Sequence, residues 1–332
     1  MKIPKIIILF IFLISGNIFA SEKKNLDNHK NHVNNSHHKN NHIMLSYKYM
    51  YMKMDGYLKG SSDASYSDAR TKPNGSNYMT VPLEMSMNMH MLSGMYTLSN
   101  GITIMLMGSY FDKEMEMKKH SSGKKKKMKS NGWGDTKFNF LKKIYNKNKS
   151  KININLGISL PTGSIEKKDT MFSGSKETLG YGMQLGSGTY DLLYGLTYNK
   201  FQDNYSYGVS ISSIKRIGEN SKDYSLGDIY QSNLFIAKPI NNETFINLES
   251  EFKFQEKIDG SHKDILSVMS FAQDKESSGY KRIDLSFGVT HKFKNFNNLK
   301  MALKFKKPIY NDVNAVQLET ENLIIIGLQY SY

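Results

Sequence analysis

The sequence has no cysteine, one tryptophan and six prolines in 332 residues. Without cysteine there are no disulfides, no thiolate metal sites and no acylated N-terminal cysteine. Long apolar runs are also missing. No internal stretch reaches the roughly 18 residues that a membrane helix needs, which excludes a helical membrane protein. There is no Gly-x-Ser-x-Gly elbow and no His-Glu-x-x-His pair, so the chain reads as a non-enzyme that requires no cofactor. Acidic residues are few: 30 against 45 basic ones, for a formal net charge of +15. Lys, Asn and Ile are abundant together, as AT-rich coding produces. The charge therefore does not point to nucleic acid, which an exported chain does not meet.

What is present begins with a leader. Lys2 and Lys5 precede a nine-residue apolar run over 6–14, and Ile18-Phe19-Ala20 offers a cleavage site. Residues 1–20 thus read as a secretory signal peptide. Residues 21–43 are Asn-rich and polar and read as a disordered periplasmic tail. From residue 44 onward the dominant period is two.

That period defines strands. Over 44–54, Leu45, Tyr47, Tyr49 and Tyr51 alternate with Ser46, Lys48, Met50, Met52 and Met54. Over 152–160, Ile152, Ile154, Leu156, Ile158 and Leu160 alternate with Asn153, Asn155, Gly157 and Ser159. Similar segments near 79–98, 102–110, 135–140, 190–198, 205–212, 228–240, 246–254, 282–290, 299–306 and 324–332 bring the total to about twelve. Short connections at 99–101, 146–150, 199–204, 241–243 and 294–298 alternate with long ones at 55–78, 112–132, 163–183, 218–227, 258–279 and 308–320. An even strand number with short turns on one side and long loops on the other predicts an all-β, antiparallel, up-and-down transmembrane β-barrel over 44–332. Pro82, Pro161, Pro239 and Pro308 fall near strand ends, where a lost ladder bond is tolerated. The expected place is the outer membrane of a Gram-negative bacterium, in contact with its lipid and lipopolysaccharide. Tyr332, closing an alternating strand, resembles the signal read by the outer-membrane insertion machinery.

Several stretches resemble outer-membrane proteins of the family called MetA pathway of phenol degradation, or simply transporter. They are Gly134-Asp135-Thr136-Lys137, Leu160-Pro161-Thr162-Gly163-Ser164, Gln184-Leu185-Gly186-Ser187-Gly188-Thr189-Tyr190-Asp191 and Gln317-Leu318-Glu319. The front of the chain, with Met50-Tyr51-Met52-Lys53-Met54 and Met85 to Met91, is similar to a metal-associated, Met-rich subgroup of that family. The resemblance implies a porin-like barrel and leaves the solute open.

Methionine is the unusual feature. Fifteen of the twenty lie between Met44 and Met128. Thioether sulfur suits Cu(I) or Ag(I), and it has no proton to lose. Met50, Met52, Met54, Met105 and Met107 share the polar parity of their strands and would line one wall of a pore, with His90 as a further ligand. The segment holding Met85, Met87, Met89 and Met91 reads both ways: its own alternation turns these residues to lipid and His90 to the lumen, whereas Leu92, Tyr96 and Leu98 turn them inward. A bulge near Ser93-Gly94 would reconcile the two. His29, His32, His37, His38 and His42 in the tail form a second loose metal-binding set. The segment 112–132 carries eight lysines against Asp112, Glu114 and Glu116 and reads as a basic loop facing lipopolysaccharide phosphates.

Three functions follow from these features. The first is diffusion of a small solute through the barrel. The second is copper or silver handling. The third is a structural or adhesive surface barrel with a closed lumen.

Overall fold

The structure is a computed structural model that describes residues 42–293 and 298–332. The leader, most of the tail, His29, His32, His37 and His38 lie outside the described residues, as does most of the 294–298 turn.

One closed antiparallel sheet dominates. Its strands are β1 (His42–Gly60), β2 (Thr80–Thr97), β3 (Ile102–Lys119), β4 (in two segments, Lys125–Trp133 and Thr136–Lys147), β5 (Ser150–Leu160), β6 (Tyr190–Phe201), β7 (Ser206–Ile217), β8 (Ile229–Pro239), β9 (Thr244–Gln255) and β10 (Tyr280–Lys292). Leu299–Ser331 is extended through all 33 residues, yet it cannot be one straight strand. Residues 300–313 pair with β10 and residues 313–331 pair with β1. The Ser331 N–H donates to the Asn298 carbonyl at 3.1 Å. The run therefore reverses, at Ala315, whose φ of 51° supplies the turn. Its arms, β11 (299–314) and β12 (316–331), complete twelve strands and close the barrel on β1. The first strand starts at His42, paired with Thr97, and so takes in the last two residues expected in the tail.

Two expected loops are strands instead. Residues 110–118 pair with 125–133 as a hairpin that rises beyond the rest of the sheet. It turns at 120–124, and a break at Gly134-Asp135 separates it from the lower half of β4. The supposed basic loop 112–132 is thus a strand pair, with ion pairs along its outer face: Glu114 binds Lys127 and Lys129, and Glu116 binds Lys125. The expected loop 308–320 is the tip of the β11–β12 hairpin.

The faces are those of a membrane barrel. Leu45, Leu106, Phe140, Leu156, Leu192, Leu234, Leu248, Leu285, Phe287, Leu303 and Phe305 are exposed on the outside. Asn139, Asn155, Asp191, Asn233, Glu249, Glu251, Arg282, Asp284, Lys304 and Lys306 are buried on the inside. On β1–β4 the outer apolar band ends at a ring of Tyr47, Tyr49, Tyr51, Tyr110 and Trp133. Beyond that ring come charged outer residues such as Lys53, Asp55, Glu84, Asp112 and Glu114. Aromatic girdles of this kind mark the membrane–water boundary.

Candidate functional site

The lumen has two unlike walls. One belongs to β9–β11. Lys304 Nζ lies 2.6 Å from Glu249 Oε2, Lys306 Nζ 2.7 Å from Glu251 Oε2, and Arg282 Nε 2.9 Å from Asp284 Oδ1. Gly288 and Ser286, on the strand between, leave room for Lys304 and Glu249 to meet across it. Lys48 of β1 adds an ammonium to this group. Glu249 is 5% and Lys304 3% exposed, so side chains fill the lumen on this side. A fourth pair, Arg216 with Asp191, sits farther round the wall.

The other wall is sulfur. Cross-strand partners share a face. Met54 pairs with Met85, Met52 with Met87, Met50 with Met89, and Met44 with Met95. Met85 in turn pairs with Met115, Met95 with Met105, and Met115 with Met128. Met50 packs on Ala302 and Ile325 inside the barrel, which fixes the direction. Every methionine on β1–β4 faces in, while the outward apolar positions of the same strands hold Leu, Ile, Phe and Tyr. Met50, Met52, Met87, Met89, Met91, Met105 and Met107 are part-exposed, unlike the buried charges of β9–β11. The open part of the lumen therefore runs along the methionines.

This arrangement corrects the sequence reading of β2. The β1–β2 register is unbroken from His42–Thr97 to Asp55–Glu84, with no bulge at Ser93-Gly94. His90 pairs with Tyr49 and lies on the outside, its Nδ1 hydrogen-bonded to the Tyr47 hydroxyl at 2.8 Å. The structure brings Met50, Met52, Met54, Met105 and Met107 onto one wall and separates His90 from them. Local parity misled because the upper half of β2 rises above the girdle, where outward positions become polar. His42 lies at the short-turn end, beside Thr97. Among the described residues no three His, Asp or Glu side chains cluster as a metal site.

Long loops close the opposite end as a cap. Tyr78 donates to Asp274 at 2.8 Å, Thr80 N–H to the Met269 carbonyl at 2.8 Å, and Lys113 Nζ to the carbonyls of Gly182 and Gln184 at 2.9 and 2.6 Å. Beneath these bonds a buried cluster includes Tyr78, Val81, Met115, Met128, Leu179, Met183, Phe271 and Leu318.

Three of the four quoted family-like stretches, those at 134–137, 160–164 and 184–191, meet in one knot that anchors the cap. Asp135 accepts the Gly163 N–H at 2.9 Å through one oxygen and the Ser187 N–H and hydroxyl, each at 2.8 Å, through the other. Thr162 Oγ1 donates to the Gly134 carbonyl at 3.1 Å. The glycines are required by close approach. A Cβ on Gly186 would lie 2.4 Å from the Gly163 carbonyl oxygen, and one on Gly163 would lie 2.7 Å from Gly186 Cα.

With barrel, lumen and cap in view, the likeness to known structures is clear. The fold is that of an outer-membrane channel. An outer membrane channel from Pseudomonas putida F1 matches with a TM-score of 0.59 at 8% identity, over 88% of this chain and 96% of that one. A Pseudomonas aeruginosa FadL homologue (TM-score 0.43, 7% identity, 88% and 90% covered) and the KdgM porin in complex with disordered oligogalacturonate (0.40, 10%, 87% and 99%) are more distant. No family profile and no curated protein matches the sequence. The likeness therefore holds at the level of the channel fold.

The cap also contains a proton-sensitive group. His262 is 2% exposed, packed by Tyr224 with its backbone N–H on the Tyr181 hydroxyl. Burial, with help from Lys222 and against Asp264 and Glu166, holds its pKa below the ordinary 6.5. The closed cap thus favours neutral imidazole. Its stability is fully present above pH 6.5 and falls as pH drops below that value, because an opened cap takes the proton first. Protease cleavage of the 256–279 segment is expected to rise from about pH 7 to about pH 5, and His262→Gln to flatten the profile. The same profile in the variant would assign the effect to another group.

Proposed function

We propose that the protein is a passive outer-membrane channel for a small solute, with its termini in the periplasm and its cap outside. The observation that carries this reading is the inside-out lining: an apolar exterior that ends on β1–β4 at an aromatic ring, and a polar, partly open lumen. Barrels of eight strands are filled by side chains and those of sixteen hold water; twelve strands with one packed wall leave a narrow path. The mixed charges of the packed wall give weak ion selectivity. Lys125, Lys127 and Lys129 stand above the girdle, which supports a role for them in meeting lipopolysaccharide phosphates.

In planar bilayers the wild-type barrel should give small discrete steps, and a cap-loosened variant larger ones. A folded, cap-loosened barrel that stays silent would overturn the channel reading in favour of a structural surface barrel.

A second reading, passage or capture of copper or silver, draws on the inward facing of every methionine of β1–β4. Generic apolar filling would place methionine on both faces of these four strands. In liposomes, Ag(I) flux should fall when Met50, Met52 and Met54 become leucine, with flux of an uncharged sugar unchanged. Equal Ag(I) flux in that variant would remove this reading.

A further inference from the structure

We propose that the cap holds one soft monovalent cation, Cu(I) or Ag(I), bound by the thioethers of Met115, Met117, Met128, Met171 and Met183. This site lies at the cap end of the sulfur wall, apart from Met50, Met52 and Met54, and it does not depend on the pore conducting anything.

These five side chains line a cavity of about 20 Å³ within the cap. That volume fits one water-sized sphere. A water would find few partners there, because a buried water needs two to four polar contacts. Of the polar lining side chains, Ser270 already donates to Gln273 at 3.2 Å. The other side chains that line the space are those of the five methionines, Leu179 and Ala272.

The sulfurs come from separate segments, so this is not a stripe along one strand. Met115 and Met128 are direct cross-strand partners, and Met117 is next on the same face. Met171 and Met183 descend from the loop between β5 and β6. Both are pinned through their backbones to the hairpin below: Ser130 donates to the Met183 carbonyl at 2.6 Å and Lys126 Nζ to the Met171 carbonyl at 3.0 Å. Neutral thioethers bind soft d¹⁰ ions and offer little to hard ones. The ammoniums of Lys113 and Lys126, held on carbonyls around the cavity, raise the cost for every cation. Only an ion that gains strongly from sulfur overcomes that cost, so the same geometry rejects Na⁺ and Mg²⁺. Packing alone does not call for methionine here, since Leu and Val fill strand positions with better-defined rotamers.

The test is titration of the folded, detergent-purified full barrel with Ag(I) in chloride-free buffer, followed by native mass spectrometry. One tightly held Ag(I) per chain is expected, and its loss in Met115→Leu/Met128→Leu/Met183→Leu. Met50→Leu/Met52→Leu/Met54→Leu should retain it. Retention in the first variant, or loss in the second alone, overturns the site. Should the first variant fail to fold, methyl-¹³C methionine NMR of the wild type decides. Ag(I) up to one equivalent should shift the five cap resonances and leave those of the barrel wall. A uniform shift of all methionines, or none in the cap, overturns the proposal. Conductance is measured separately, so a silent barrel that binds Ag(I) sinks the channel reading and leaves this site standing.

Discussion

Replacing Glu249 with leucine is expected to destabilise the barrel by ~3–5 kcal/mol, the range seen when one member of a buried ion pair is removed. The Glu249 carboxylate accepts from Lys304 Nζ at 2.6 Å, Asn247 Nδ2 at 3.1 Å and Asn233 Nδ2 at 3.4 Å. Its loss leaves the Lys304 ammonium, 3% exposed, with Lys48 and Lys306 as neighbouring cations. The desolvation cost of that charge then has nothing to offset it. Glu249→Leu/Lys304→Met removes both charges and should recover most of the loss, because an apolar replacement of the whole pair is close to neutral. Urea unfolding in lipid vesicles, read by tyrosine and tryptophan fluorescence, measures both variants. A midpoint for Glu249→Leu within about 0.5 kcal/mol of wild type, the scatter of surface substitutions, would show that water reaches this wall freely.

Gly186→Val is expected to open the cap and raise single-channel conductance several-fold. A side chain there collides with the Gly163 carbonyl at 2.4 Å and with Asp135 Oδ1 at 2.6 Å. Backbone on one side and a fully engaged carboxylate on the other leave no direction for relief, so the loop between β5 and β6 must lift. Asp135→Ala should act in the same direction and more weakly, since it removes three acceptor contacts without a clash. The barrel wall is untouched in either variant, so heat-modifiable migration on gels should stay that of a folded barrel. If proteolysis shows the cap released while conductance is unchanged, the constriction lies at the ion-paired wall and the cap is not the gate.

Much of this molecule is legible one strand at a time. The alternation of Ile152 to Leu160 with Asn153 to Ser159 names an inside and an outside before any partner is known, because successive side chains of a strand point to opposite faces. The loops were harder to read. The lysines and glutamates of 112–132 look like a solvated loop in sequence, and their cross-strand pairing is visible only once Glu114 is opposite Lys129. Residues 308–320 likewise look like a long connection until Ala315 is seen to reverse the chain.

The site divides in the same way. The sequence by itself determined a methionine excess concentrated in the first strands, a period of two, about twelve strands, and two classes of connection. All are local properties of the chain. Only the tertiary structure decided which way Met85 to Met91 face, since the outer environment of β2 changes from lipid to water partway up and the register against β1 settles the face. It also decided that Asp135, Gly163 and Gly186 form one knot, and that Met171 and Met183 meet Met115 and Met128. Those contacts join residues far apart in sequence, and closure of the barrel beneath a folded cap is what brings them within reach.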